Sequence, residues 1–489
     1  MSVIGLDVGT SRVKAVRFDE QWRAADVEAE DSVVRRNVDG TREQDPDEVW
    51  TIAARVLSAV TGRSPDPVEL VSVTGQGDGC WLVDDAGRPA GPALLWNDSR
   101  AADIIGDWER DGRLTTAFRR NGCQGAPGLA HAQLVWLQRH RPETLESAAT
   151  LLSCGSWVYL RLTGRRVLEA TEAANPFFDA AEGAYDPTLL DLFGIADLER
   201  LLPEVVDGAD RVAPVLDAVA DQLGLAHGTP VSIAPYDVPA TAIGTGATST
   251  GLSFGVLGTT LCVGTVADDP RLDRAPNGMT LPGAGPGRWL IAYATMVGTE
   301  VLDWAARLLG LADARAVVEL AGGSTRTVPP LVLPYLSVAG ERSPFLDSRV
   351  RGTVTGLDTG HTPADLARGV LDGLTLVVRD CLAAAGLPDS LALSGGGSAS
   401  TTWCQNISDA TGVPVTTPDV GEVGARGAVI CGAADLGRFD DVDQAVAAAV
   451  GTGTTFTPDR ERTAYFDDAY ERFVGARELL RSGEQTARG

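Results

Sequence analysis

The stretch Val3-Ile4-Gly5-Leu6-Asp7-Val8-Gly9-Thr10-Ser11-Arg12-Val13-Lys14-Ala15-Val16-Arg17-Phe18 decides the fold class. Its first run is apolar and β-branched up to Gly9, and a second such run starts at Val13, so the segment reads as strand, tight turn, strand. Asp7 stands near the end of the first strand. The turn of Gly9, Thr10 and Ser11 can aim backbone N–H groups and hydroxyls at an anion. An acid beside such a cradle points to magnesium, which takes one or two carboxylates together with phosphate oxygens and water. Read alone, the segment equally allows a glycine-turn hairpin with a surface aspartate.

Working outward, Asp45 with Pro46 behind it opens a helix, because Val49-Trp50-Thr51-Ile52-Ala53-Ala54-Arg55-Val56-Leu57 repeats its apolar residues at helical spacing. Leu70 to Asp84 then reads as a strand, a glycine-broken turn around Gln76 and Asp78, and a return strand carrying Trp81; the loop after it holds Trp96 and Asn97. Strands and helices alternating in this way define an α/β protein. Near residue 250 the pattern starts again: Thr250 to Asp268 reads strand, turn (Gly258, Thr259, Thr260), strand. A long helix over 363–386, ended by Gly386, follows, and then a short buried strand running into Gly395, Gly396, Gly397 and Ser398 and a helix. This cluster is neither a P-loop nor a dinucleotide fingerprint. Two further segments, 399–415 and 421–437, read as helices packed through small residues. Each half has its own sheet, with the boundary near residues 245 to 255, which assigns 1–247 to one domain and 248–489 to the other.

Composition removes other classes. With 66 acidic against 41 basic residues the formal net charge is −25, which repels a nucleic-acid backbone. No apolar run reaches the length of a membrane span. Seven scattered cysteines without a CxxC pair, and four histidines without ligand spacing, indicate neither a disulfide framework nor a zinc site. No secretory signal is visible at the start, so the reducing cytoplasm is the expected location. Lys14 is the single lysine among the 41 basic residues, in a chain that otherwise uses arginine throughout.

Four ordered motifs then carry a resemblance. They are the DVGTS turn with Lys14 beyond it, VTGQGDG followed by LLWNDSRA, GERSPFLDSRVRGTVTGL leading into HTPADLARGVLDGL, and LALSGGGSAS. Together they resemble the FGGY family of carbohydrate kinases, in the sugar-kinase, Hsp70 and actin superfamily. One departure is Gln133, where the family usually has lysine; it lies off the catalytic motifs. The resemblance implies two ribonuclease-H-like domains with a cleft between them, ATP as co-substrate and magnesium as its ion, and domains that close over both ligands. It implies Asp237, in VSIAPYDVPATAIGTGA, as the catalytic base delivered by a strand, and Asp7 as the second catalytic acid, organising magnesium directly or through water. It places Gln76, Asp78, Trp96, Asn97 and Asp237 in the sugar site, and Gly9, Thr10, Ser11, Lys14, Gly258 to Thr260 and Gly395 to Ser398 around the nucleotide phosphates. Trp81 reads more readily as core than as a sugar platform.

The expected reaction is ATP-dependent phosphorylation of a small sugar or sugar alcohol. Asp78, where xylulokinases commonly carry histidine, makes the stretch more similar to erythritol kinases and their polyol or L-xylulose relatives. D-xylulose is the alternative substrate. An actin- or Hsp70-like ATPase and a silent sugar-sensing regulator are the rivals from other classes. The polar stretch GQGDG with WND argues against the first, and the presence of both Asp7 and Asp237 against the second. The partner is a small sugar or polyol, with no nucleic acid and no membrane, and a homodimer is compatible with the reading.

Overall fold

The computed structural model describes residues 2–37, 40–419 and 421–486. The chain divides into two compact units: one takes residues up to 248 plus 268–290 and 422–450, the other 249–267, 291–421 and 451–489. A single cut at 247/248 therefore assigns two later segments to the second half that pack with the first. Their return is a tertiary event, because nothing local marks residues 422–450 as belonging with a sheet formed some 350 residues earlier.

In the first unit the hairpin lies in a sheet whose strand order is Val212–Pro214, Pro230–Ile233, Leu70–Gly75, Val3–Val8, Arg12–Phe18, Ala24–Asp31. Val3–Val8 runs antiparallel to Arg12–Phe18 and parallel to Leu70–Gly75, which places Asp7 between Lys14 and Thr74. Side chains alternate across the sheet. Ile4, Leu6 and Val8 join a core with Val49, Leu57 and Trp157 from the helices Pro46–Thr61 and Cys154–Thr163. Val3, Val16 and Phe18 face the other way, onto Ala425, Val429 and Ile430 of the returning helix Val423–Asp435. The expected first helix is present, with Asp45 as its N-cap accepting from the Asp47 N–H and Pro46 in its first turn.

The returning helix is anchored by charge and by close backbone contact. Arg211 makes a two-point pair with Asp435 at 2.7 and 3.1 Å, and Ser232 adds a hydrogen bond to the same carboxylate. At its other end Gly427 lies against the Ala240 carbonyl, and Gly244 against that of Val423, so closely that a Cβ on either glycine would overlap those oxygens. That contact brings it flush against the short helix Asp237–Gly244.

The second unit repeats the core motif. Leu252–Leu257 pairs antiparallel with Leu261–Ala267 and parallel with Ser390–Ser394. The sheet continues through Val415–Pro418 to Thr452–Phe456 on one side and to Trp289–Ala294 on the other. The long helix spans Pro363–Ala385 with a capping box between Thr362 and Asp365, and Gly386 closes it at φ +102°. The expected strand, glycine cluster and helix appear as Ser390–Ser394, a single 3₁₀ turn at Gly396–Ala399, and Thr401–Thr411 capped by Ser400.

Candidate active site

Asp7, near the end of the central strand, is only partly exposed, and its pKa is pushed up to about 6. Burial is the main cause; the Lys14 ammonium across the hairpin opposes it and the Glu422 carboxylate adds to it. Lys14 Nζ and Glu422 Oε2 form a hydrogen-bonded ion pair at 2.8 Å. The lone lysine is thus held by an acid 408 positions away, a partner that no local reading names. Asp7 accepts no side-chain hydrogen bond among the described residues, and no cluster of three or more metal-ligating side chains occurs among them. One unencumbered carboxylate suits magnesium, which keeps waters and phosphate oxygens, and does not suit a metal caged by protein.

Asp237 does not end a strand. Its strand stops at Ile233, and Asp237 opens the helix Asp237–Gly244 as its first residue. Its pKa is pushed up to about 8, by burial first and then by the charges of Asp7 and Asp78, while the Val238 N–H works the other way. A carboxylate in the first turn is favoured by the helix dipole, and the far end of the helix is capped by a buried cation. Arg426 donates from Nε and Nη2 to the Gly244 carbonyl at 3.0 and 2.7 Å. Asp7, Asp78 and Asp237 therefore form one electrostatic group.

The residues assigned to the sugar divide by role. Gln76 is 2% exposed and its amide is committed: it accepts from the Thr10 hydroxyl at 2.7 Å and donates to Gln44 Oε1 at 2.7 Å. Trp96 donates its indole N–H to the same Thr10 hydroxyl at 2.9 Å. So the Thr10 hydroxyl, expected to face a phosphate, is bound on both sides, and only backbone remains to it for an anion. Gln76 stands behind that contact as a strut. Trp96 is half-buried, and Asn97 is exposed with no hydrogen bond among the described residues. The loop is held from below by Gln133, whose amide donates to the Leu95 carbonyl at 2.9 Å, and by Asp98, which accepts from the Arg42 and Arg100 backbone N–H groups. Trp81 is core, 1% exposed.

Asp78 adopts a left-handed backbone at φ +59°. A non-glycine residue in that region needs outside support. Glu172 Oε2 accepts from the Asp78 N–H at 3.2 Å, and the Asn175 amide donates to Asp78 Oδ1 at 3.0 Å. Both partners come from the helix Ala170–Phe177, which sequence reasoning passed over. The available signal was an acid inside the apolar run Ala170-Thr171-Glu172-Ala173-Ala174-Asn175-Pro176-Phe177.

In the second unit the turn Gly258, Thr259, Thr260 is open to solvent at Thr259, and its Gly258 carbonyl accepts from the Thr299 N–H at 2.8 Å. Gly395 and Gly396 are exposed. Gly397 packs on Leu257 and Trp403 so tightly that a Cβ would lie 2.7 Å from Leu257 Cβ. The glycine cluster thus backs the turn, and the Ser398 hydroxyl is returned to the Gly395 carbonyl at 2.7 Å.

Two α/β units built on the same hairpin and parallel strand, one of them bearing a cluster of carboxylates beside a lysine, define a sugar-kinase type of fold. A solved xylulose kinase from Lactobacillus acidophilus shares it, with a TM-score of 0.92 at 22% identity over 98% of both chains. Family models for the N-terminal and C-terminal domains of FGGY carbohydrate kinases match residues 2–244 and 254–436, and the chain belongs to this family. A protein of Brucella abortus (strain 2308) named erythritol kinase is 31% identical over 98% of this chain and 96% of its own. Xylulose kinase of Escherichia coli (strain K12) is 31% identical over 86% and 87%. The activity is ATP-dependent phosphorylation of a sugar or sugar alcohol. No helix among the described residues is long and apolar enough to cross a membrane.

Proposed function

We propose that this kinase phosphorylates a four- or five-carbon polyol, erythritol-like compounds first and L-xylulose-like ketoses second, with Asp237 as general base. The observation that carries the reading is the placing of Asp237 at a helix start where Asp7 and Asp78 both act on its charge. A base must accept a proton from the attacking hydroxyl, and a carboxylate lifted towards neutrality accepts it more readily than an ordinary one. The substrate oxygen attacks the γ-phosphorus, its proton passes to Asp237, the bond from the γ-phosphorus to the bridging oxygen breaks, and ADP leaves. Asp7 would hold magnesium, which when bound neutralises charge on the phosphate oxygens. Lys14 turns from Glu422 to the transferring phosphate, a compact ammonium suited to that exchange.

On the sugar side Asp78 accepts from neighbouring substrate hydroxyls, Trp96 offers its ring face to C–H groups, and Asn97 reaches in from the rim. Gln76 acts through Thr10 and Trp96 by fixing their positions. The backbone of Gly9 to Ser11, the turn Gly258 to Thr260 and the glycine cluster Gly395 to Ser398 serve the nucleotide phosphates, and the cytoplasm is the place of action. The relative named erythritol kinase and the carboxylate of Asp78 favour the polyol; the relative named xylulose kinase keeps D-xylulose as the second reading. A coupled ADP-release screen over tetritols, pentitols, ketopentoses and glycerol tests the choice. The highest kcat/KM is expected for erythritol or L-xylulose, and D-xylulose as best substrate would reject it.

A further inference from the structure

Beneath the left-handed loop at Asp78 the first unit has a half-open pocket of about 20 Å³, lined among others by Asp78, Ser153, Glu172, Asn175 and Tyr185. That volume is enough for one water or one hydroxyl group. Three polar atoms of its lining residues are buried without a hydrogen-bond partner: Glu172 Oε1, Asn175 Oδ1 and the Tyr185 hydroxyl. Glu172 and Asn175 are each 8% exposed. Their other polar atoms are used, since Glu172 Oε2 takes the Asp78 N–H and Asn175 Nδ2 holds Asp78 Oδ1. Buried polar atoms in a native protein are nearly always paired, so three orphans around one hydroxyl-sized space mark a place where something else completes them.

Resting on the reading of Asp78 as part of the sugar site, the geometry points to Glu172, Asn175 and Tyr185 as a subsite for one non-reacting hydroxyl of the substrate. An alcohol O–H donates to Glu172 Oε1 or Asn175 Oδ1, and the same oxygen accepts from the Tyr185 phenol. Asp237 is not among the lining residues, so the hydroxyl bound here is not the one that attacks phosphorus. Asp78 lines the same pocket and would receive the next hydroxyl along the chain. Burial holds the Glu172 carboxyl well above its ordinary range; the charges of Asp78 and Asp237 add to this, and the Ser153 hydroxyl and the Asp78 N–H oppose it. A polar subsite rejects an analogue that leaves its groups unpaired.

The test compares erythritol with the butane-1,2,3-triol of matching configuration that keeps the reacting hydroxyl and lacks the other terminal one. If the screen ranks L-xylulose first, it is compared with its terminally deoxygenated analogue. The wild-type enzyme should prefer the parent by about tenfold in kcat/KM, and Tyr185→Phe and Glu172→Gln should each erase that preference while leaving the KM for ATP unchanged. Because a ratio of two kcat/KM values does not depend on the fraction folded, a destabilised variant still reports. A preference absent from the wild type, or retained in both variants, overturns the subsite. So does a lowered melting temperature with an unchanged ratio, which would leave the pocket to a structural water. Asp78→Ala serves as the control: if it costs sugar turnover while the ratio persists, only the subsite fails, and if it costs nothing, the reading of the sugar site fails with it.

Discussion

The hairpins 3–18 and 252–267 are the same piece of architecture. In each, two antiparallel strands meet at a glycine-led turn, and a parallel strand, Leu70–Gly75 or Ser390–Ser394, lies beside the first. Two positions before the turn glycine they part company. In the first hairpin that position is Asp7, between Lys14 and Thr74; in the second it is Val256, between Cys262 and Ser394. One copy thus carries a carboxylate and an ammonium facing each other across the ladder, while the other carries neutral residues and a turn backed by glycines. The difference teaches that the shared motif offers the same glycine-led backbone turn in both copies, and that an opposed acid and lysine were placed in only one.

If that division holds, changes at the acids of the first unit strike turnover or sugar binding, and changes at the turn of the second strike the nucleotide. The largest effect is expected from Asp237→Asn, which keeps shape and removes the proton acceptor: kcat should fall by about 10² to 10⁴ with ATP affinity little changed. Retention of more than about a tenth of wild-type turnover at saturating substrates would remove Asp237 from the role of base. Next is Asp78→Ala, where loss of a charged acceptor should lower kcat/KM for the preferred polyol by about 10- to 150-fold and leave the KM for ATP alone. An equal rise in both KM values would blur the two units.

A change in the second unit should do the reverse. Gly397→Ala forces a methyl against Leu257 and Trp403 and displaces the backing of the Gly258 turn. The KM for ATP should rise about tenfold, with the ranking of sugars preserved; steady-state kinetics with ATP and polyol varied in turn reads both. The smallest effect is on stability. Because Asp237 is held at about 8, the folded state binds its proton more tightly than the unfolded chain does, so its contribution favours folding at low pH and is lost as pH rises from about 4 towards 8. Asp237→Asn never bears that charge, so its melting temperature relative to wild type should climb across this window, by about 1 °C at pH 8 for each kcal/mol regained. A constant or falling difference in calorimetry would show that Asp237 is ionised at no cost. The same ionisation predicts that wild-type kcat/KM for sugar rises with pH and levels off near 8.

What could be read in advance followed from local rules. Alternation of β-branched residues around Gly9 and around Gly258 is a statement about neighbours, as are the Asp45-Pro46 helix start and the stop at Gly386, and all of these stand in the structure where the sequence put them. Sequence likewise determined which side chains have chemistry to offer: one lysine in the whole chain, and acids at Asp7, Asp78 and Asp237 beside glycine-broken segments. Tertiary structure alone decided which of them meet and what they are free to do. The Thr10 hydroxyl is spent on Gln76 and Trp96, Lys14 is paired with Glu422, and Asp78 is held in a left-handed backbone by Glu172 and Asn175 from a helix almost 100 residues on. The physical reason is that periodicity and turn preference act over a few residues. Desolvation, pairing of buried polar groups and the approach of two helices through Gly244 and Gly427 depend on distances in space, which chain order does not encode locally.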